Sequence, residues 1–162
     1  MTENEQASGL LMIRPGYGAD NLHLGQTESE IVIALGQPES RTRKYKGEYY
    51  YNYPGLGFEF DFGQRGGLVR YIFCFREGFR RNRQARVVTD RGIKPGDSKE
   101  AVLKLMGRPD AQGKATTLHF GDRLAAWFRY NDGINFQFDD DGRIEMITIA
   151  APRQQANSVL VI

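Results

Sequence analysis

Two stretches of the chain read alike: Gly25-Gln26-Thr27-Glu28-Ser29-Glu30-Ile31-Val32-Ile33-Ala34-Leu35-Gly36-Gln37-Pro38-Glu39 and Gly96-Asp97-Ser98-Lys99-Glu100-Ala101-Val102-Leu103-Lys104-Leu105-Met106-Gly107-Arg108-Pro109-Asp110. They align without gaps, and each contains a glycine, a hydroxyl residue, a run of helix-forming residues and then Gly-x-Pro-acid. Self-similarity over stretches of this length is the signature of a repeated structural unit. We therefore predict a tandem duplication.

Each stretch is predicted to form a short helix. Thr27 and Ser98 are the N-cap residues, because their hydroxyl oxygens accept hydrogen bonds from free amides of the first turn. A glycine that tolerates the left-handed conformation, followed two residues later by proline, ends each helix. Apolar side chains four residues apart share one helix face, and the pairs are Ile31 with Leu35 and Val102 with Met106.

The rest of each copy is predicted to form antiparallel strands. Apolar and polar side chains alternate through 55–61 and 133–139, which is typical of half-buried strands. Aromatic and β-branched residues favour further strands at 49–53, 68–72, 126–130 and 143–147. Additional strands are predicted at 40–44 and 114–119, and an added edge strand at 11–13.

The predicted fold class is α+β, a tandem duplication of a helix plus antiparallel meander module, with the sheet covered by helices on one face. The predicted divisions are a mobile tail at 1–10, a first α/β repeat at 11–75, an arginine-rich link at 76–90 and a second α/β repeat at 91–162. The apolar residues 158–162 are expected to pack on the fold.

The composition is that of an ordinary globular protein, with 40% hydrophobic and 26% charged residues. The 22 basic and 20 acidic residues leave a net charge of +2, which is too small to indicate a global electrostatic role. The single cysteine excludes an internal disulfide and fits a reducing compartment. The polar N-terminus lacks the features of a secretory signal, and no apolar run is long enough to span a membrane. We therefore expect a cytoplasmic protein without membrane contact.

The order of glycine, hydroxyl cap, short helix, Gly-x-Pro and aromatic antiparallel strands resembles the repeat of the β-lactamase-inhibitor-protein superfamily. The resemblance covers about residues 20–75 and 91–150, and each copy is also similar to the small lipoprotein of the outer-membrane assembly machinery. It implies two α/β repeats that form one curved sheet, with helices on one side and a protein bound on the exposed face. The chain lacks the paired cysteines common in the secreted inhibitors.

Residues suited to catalysis or metal binding form no recognisable pattern. His23 and His119 are not at metal-ligand spacing from each other or from Cys74, which is expected to be a buried, inert thiol. The acidic run 139–141 before Gly142 is better explained by a hairpin turn than by a calcium loop. We predict no enzyme activity, no catalytic residue, no metal and no cofactor.

The link contains a cluster of arginines, whose planar guanidinium groups suit phosphate and carboxylate ligands. Nucleic-acid or phospholigand binding through this link is the alternative function. The competing interpretation is a solvated connector, since nucleic-acid-binding proteins usually carry a larger net positive charge. The residues concerned are Arg76, Arg80, Arg81, Arg83 and Arg86.

The favoured function is non-enzymatic protein binding through the open sheet face, as an inhibitor, immunity or assembly factor. The strand alternation predicts a helix-covered face with Tyr51, Tyr53, Leu56, Phe58, Phe128, Tyr130, Ile134 and Phe136. Large aromatics among polar residues are typical of interface hot spots. Two alternatives remain open: both sheet faces are covered, or the register is shifted by one residue, which reverses every face. The predicted protein-binding residues are Tyr50, Asn52, Trp127, Arg129, Glu59, Gln137, Arg70 and Glu145.

Overall fold

A computed structural model describes residues 9–118 and 121–153. Its elements are, in chain order, β1 (Leu11–Arg14), β2 (Gly18–Ala19), β3 (Leu22–His23), α1 (Glu28–Leu35), β4 (Ser40–Arg43), β5 (Tyr49–Tyr53), β6 (Phe58–Asp61), β7 (Tyr71–Phe75), β8 (Val87–Thr89), α2 (Lys99–Met106), β9 (Ala111–Gly113), β10 (Thr116–Thr117), β11 (Arg123–Leu124), β12 (Ala126–Tyr130), β13 (Ile134–Phe138) and β14 (Ile144–Ala150). Two 3-10 turns, Tyr45–Gly47 and Phe79–Arg81, lie between strands.

The main element is an eight-stranded sheet in which every pair of neighbouring strands is antiparallel. Its order is β4-β5-β6-β7-β14-β13-β12-β9. Two runs of strands, β4-β5-β6-β7 and β9-β12-β13-β14, therefore meet at the centre, where β7 pairs with β14 and Phe73 lies opposite Thr148. A separate hairpin of β10 and β11 and a four-stranded sheet of order β3-β2-β1-β8 complete the strands.

One face of the large sheet forms the core. Because successive side chains of a strand point to opposite faces, alternate residues of each strand are buried together. We call this side the core face and the opposite side the outer face. The buried residues of the core face include Tyr51, Tyr53, Phe58, Phe60, Ile72, Cys74, Phe128, Tyr130, Ile134, Phe136, Ile147 and Ile149.

The small sheet supplies much of the packing against the core face. Its buried side chains Ile13, Ala19, Leu22 and Val87 belong to the same hydrophobic cluster as the core face. Each helix adds one fully buried side chain to this cluster, and these are Ile31 and Val102.

The predicted fold class is wrong. Strands make up 38% and helices 15% of the described chain, so the protein is mostly β and is not a helix-plus-meander module covered by helices. An eight-residue helix is only about 12 Å long, whereas eight strands span about 34 Å between the outermost two. Two such helices cannot cover the sheet, and the four-stranded sheet fills the space that the sequence assigned to helices.

The helices have the predicted ends. The Thr27 hydroxyl accepts a hydrogen bond from the Glu30 amide at 3.2 Å, and Ser98 accepts one from Ala101 at 3.1 Å. Gly36 and Gly107 follow the last turns with φ of 84° and 80°, a region that favours glycine. Each helix therefore stops after eight residues.

Several strand boundaries differ from the sequence prediction. Leu56 is exposed rather than on the core face, because its amide donates to the Tyr53 carbonyl at 2.9 Å and closes a turn before β6. The predicted edge strand at 11–13 is instead β1, which lies inside the small sheet. The strand predicted at 68–72 is displaced to β7 (Tyr71–Phe75), and the described part of the stretch predicted at 114–119 contains only β10 (Thr116–Thr117). His119, residues 158–162 and most of the predicted tail at 1–10 lie outside the described residues.

Candidate functional site

The outer face presents the side chains that alternate with the core residues, and the strand register aligns them in rows across the sheet. The first row contains Trp127, Gln137, Met146 and Phe75. The second contains Arg129, Asn135, Thr148, Phe73, Glu59 and Asn52. The third contains Ala150, Tyr71, Asp61 and Tyr50.

Two aromatic side chains of the outer face are open to solvent. Trp127 is 38% exposed and Tyr71 is 37% exposed. The half-buried Phe73 lies on the same strand as Tyr71, and the half-buried Met146 lies on β14, between the two strands. The indole of Trp127 lies against Gly113 of β9, where an added β-carbon would be 2.1 Å from the indole Nε1. The missing side chain at Gly113 thus leaves the space that the Trp127 ring occupies.

Sequence reasoning missed Tyr71 and Phe73. The strand Tyr71–Phe75 has apolar or aromatic side chains on both faces, so it shows no alternation of polar and apolar residues. The alternation of the neighbouring strand β6 could have predicted the outer-face residues of β7. Phe73 lies opposite Glu59 and therefore shares its face, as does Tyr71 two residues away.

Tyr50 lies on the outer face but is not an exposed ring. Its side chain is 7% exposed, and its hydroxyl donates to the Glu48 carboxylate at 2.7 Å. The ammonium group of Lys44 lies 4.5 Å from the centre of the ring. Burial and the hydrogen bond with Glu48 raise the pKa of Tyr50. The expectation of a solvent-facing anchor fails at Tyr50 because the connection between β4 and β5 covers it.

Three further residues of the predicted surface are partly enclosed. Glu145 is 8% exposed, lies at a bulge in β14 and accepts a hydrogen bond from the Gln137 amide at 2.6 Å. Asn52 donates to Ser40 and Thr42 of β4. Burial raises the pKa of Glu59, although the charges of Lys44 and Arg80 act to lower it. The side chains of these three residues therefore make their contacts within the sheet and are only partly accessible to solvent.

Two arginines lie at the Tyr71 end of the outer face. Arg70 Nε is 3.1 Å from the buried Asp61 carboxylate, and a second guanidinium nitrogen is 3.8 Å from Glu48. Arg129 has a buried Nε without a hydrogen-bond partner among the described residues. Both line a pocket of about 340 Å³ together with Arg153.

The five arginines of the predicted polyanion site do not form one patch. Arg76 pairs with Asp139; burial opposes ionisation of that carboxyl, but hydrogen bonds from the Arg143 amide and from Arg76 lower its pKa. Arg83 and Arg86 line an apolar cavity of about 450 Å³ beside Leu11 and Leu35. Arg80 and Arg81 lie in a turn, both with positive φ, and Arg80 borders a pocket on the outer face.

Residues 9–118 and 121–153 contain no group of three or more His, Cys, Asp or Glu side chains that could hold a metal ion. Cys74 is buried as expected, and burial raises the pKa of its thiol. Within the same ranges, no helix has the length and apolar character needed to cross a bilayer.

Comparisons with known proteins find similar folds but no family. No protein-family profile matches the chain, and no curated protein sequence matches it. A DUF4309 family protein (YjgB) from Bacillus subtilis has a similar structure, with a TM-score of 0.54, 19% identity and coverage of 84% of this chain and 88% of that chain.

Two further solved structures are similar. An extracellular protein containing an SCP domain from Bacillus anthracis gives a TM-score of 0.50 at 14% identity, covering 79% of this chain and 44% of that chain. A cysteine-rich secretory protein from Staphylococcus aureus gives 0.51 at 10% identity, covering 94% and 57%. The chain therefore spans about half the length of these two proteins. None of the three descriptions names a β-lactamase-inhibitor-like repeat, and at these identities the likeness is one of fold alone.

Proposed function

We propose that the chain is a non-enzymatic protein-binding module and that its contact surface is the outer face. The observation that carries this proposal is the pair of exposed aromatics, Trp127 and Tyr71, on the same face of one sheet. Tyr and Trp are enriched among the residues that dominate binding energy, especially where polar side chains surround them. Gln137, Asn135 and Arg129 supply those polar neighbours.

The dimensions of the face favour a protein as the ligand. Trp127 and Tyr71 are three strands apart and several residues apart along the strand direction, so their Cα atoms are about 20 Å apart. A standard protein interface buries about 800 Å² on each partner, a patch of roughly this breadth. A small molecule would not reach both rings, whereas a partner that crosses β7, β14, β13 and β12 contacts both.

Affinity capture from the lysate of the source organism tests this proposal. The bait is the full chain, compared with a Tyr71→Ala/Trp127→Ala double variant and with an Ile33→Ala/Leu103→Ala control that removes two exposed side chains of the helices, which pack on the core face. We expect a protein that the wild type and the control capture equally and the double variant captures at least tenfold less. Identical capture by all three baits would overturn the assignment of this face.

Nuclease treatment of the lysate separates the alternative function from the favoured one. If arginines of the 76–86 segment bind nucleic acid, nuclease treatment of the lysate abolishes the capture. The capture also falls as the salt concentration rises, because each phosphate contact releases counterions. Replacing Arg80 and Arg81 by serine then removes the captured material. Nuclease-resistant capture that depends on Trp127 supports the protein-binding function.

A further inference from the structure

The pocket at the Tyr71 end of the outer face has an unusual set of charges. It has a volume of about 340 Å³, and its lining includes Arg70, Tyr71, Arg129, Asn135 and Arg153. Its remaining lining residues are Tyr130, Gly133, Ala150 and Ala151, so three guanidinium groups share the pocket without a carboxylate in its wall. Like charges in a concave site repel each other.

Only part of this positive charge is neutralised within the protein. Arg70 is paired with the Asp61 carboxylate on the floor of the outer face. Within residues 9–118 and 121–153, Arg129 and Arg153 have no carboxylate within 4.0 Å. The pocket therefore contains two guanidinium groups without a direct ion pair, and Arg153 also borders a neighbouring pocket that contains Asp110 and Asp132.

Arg129 also has a hydrogen-bond donor without a partner among the described residues. Its Nε is buried and unpartnered within the described chain. A buried N–H without an acceptor is rare and destabilising, so its presence requires an explanation. The strand register places Arg129 between Ala111 of β9 and Asn135 of β13, so the β12 backbone fixes where this side chain leaves the sheet.

We propose that this pocket binds a dianionic oxyanion of the phosphate monoester class. The guanidinium groups of Arg129 and Arg153, which have no ion-pair partner among the described residues, match its charge and donate their terminal N–H groups to its oxygens. Arginine suits this ligand because its parallel N–H groups bind two oxygens at once. The ring of Tyr71 packs against the organic group of the monoester, and the volume accommodates a ligand of small-molecule size. The site does not depend on the proposed protein-binding function.

Calorimetric titration of the full chain with inorganic phosphate and with phenyl phosphate, at constant ionic strength, tests the proposal. We expect saturable binding, at least tenfold weaker in Arg129→Gln and in Arg153→Gln. Arg43→Gln is the matched control, since Arg43 is an exposed arginine on β4 at the far edge of the sheet. Arg153 follows the last strand, so its replacement leaves the pairing of the sheet intact if Arg129→Gln disturbs the fold.

Two further measurements examine the ligand class. Phenyl phosphate should bind more tightly than phosphate, and Tyr71→Ala should remove that difference. Acetate, a monoanion, should bind at least tenfold more weakly than phosphate. Absence of saturable phosphate binding by the wild type, equal affinities in Arg129→Gln, Arg153→Gln and Arg43→Gln, or equal affinities for acetate and phosphate would each overturn the proposal.

Discussion

Trp127 and Tyr50 lie on the same face of one sheet, but their rings contribute differently to stability. Trp127 is 38% exposed and Tyr50 is 7% exposed with a hydrogen bond to Glu48. We predict that Trp127→Ala lowers the free energy of unfolding by less than about 1 kcal/mol. Tyr50→Ala should cost about 3 kcal/mol, as large-to-small changes at packed positions do.

Urea denaturation followed by circular dichroism measures both changes. Tyr50→Phe serves as the matched variant, because it keeps the ring and removes only the bond to Glu48, at a cost of about 1 kcal/mol. Equal losses in Trp127→Ala and Tyr50→Ala would contradict the difference in burial.

The sequence predicts the face of these residues better than their exposure. Alternation along a strand determines that Tyr50 and Tyr51 point to opposite sides, because the side-chain period is two residues. The exposure of Tyr50 depends on Lys44 and Glu48, which lie in the connection between β4 and β5. Alternation along a strand does not show which side chains a connection covers. The burial of Tyr50 therefore could not be predicted from the sequence.

The N-terminal cap of α1 contributes to the stability of the protein. Thr27 and Glu30 form a reciprocal capping box at the start of α1, in which the Glu30 carboxylate accepts from the Thr27 amide at 3.4 Å. We predict that Thr27→Ala lowers the free energy of unfolding by about 1 kcal/mol, since it leaves an amide of the first turn without its acceptor. Ser29→Ala, an exposed change in the same helix, should be neutral or slightly stabilising because alanine has the higher helix propensity. Thermal unfolding of both variants checks this, and equal losses would contradict a capping role.

Each helix is also tied to the sheet by a tyrosine. The Tyr53 hydroxyl donates to the Gly36 carbonyl at 2.9 Å, and the Tyr130 hydroxyl donates to the Gly107 carbonyl at 2.8 Å. Burial raises the pKa of Tyr53 and of Tyr130 from 10.0 to about 12. The folded protein thus holds these two protons more tightly than the unfolded chain does.

This difference predicts a loss of stability in alkaline solution. A group with a raised folded-state pKa stabilises the fold fully below its unfolded-state pKa, and the contribution is lost as pH rises through the folded-state value. Stability should therefore fall between about pH 10 and pH 12, and less steeply in Tyr53→Phe/Tyr130→Phe. Urea unfolding at several pH values measures this, with the 86% exposed Tyr45 replaced by phenylalanine as the control. An unchanged slope in the double variant would show that ionisation of these two tyrosines does not account for the pH dependence.

The small sheet is the element that the sequence did not reveal. Its strands β2 and β3 have two residues each, which is too short to show any periodicity. Its parallel pair joins β1 to β8, and these strands are far apart in the chain. Local patterns identify the capped helices and the longer strands, but they do not identify a layer held together by long-range pairing.

At the scale of the whole molecule, the two runs of strands depend on one another. They share the central pairing of β7 with β14, and their buried residues form one hydrophobic cluster. Ile13 and Val87 of the small sheet belong to that cluster as well. Because the same core contains residues from both runs, neither run has a separate set of buried contacts on which to remain folded alone.

This shared core predicts that the described parts of the chain unfold in one cooperative transition. Trp127 is the only tryptophan in the sequence and lies in β12, so its fluorescence reports on one run of strands, whereas circular dichroism reports on the whole. Phe58→Ala lies in β6 of the other run, and Phe136→Ala lies in β13, next to the strand of Trp127. Each should lower the free energy of unfolding by about 3–5 kcal/mol. Both should therefore lower the urea midpoint of the Trp127 fluorescence by a similar amount. The two signals should coincide in urea for the wild type and for both variants. A Trp127 transition that Phe58→Ala leaves unchanged would mean that the two runs fold as separate units, despite the strand pairing that joins them.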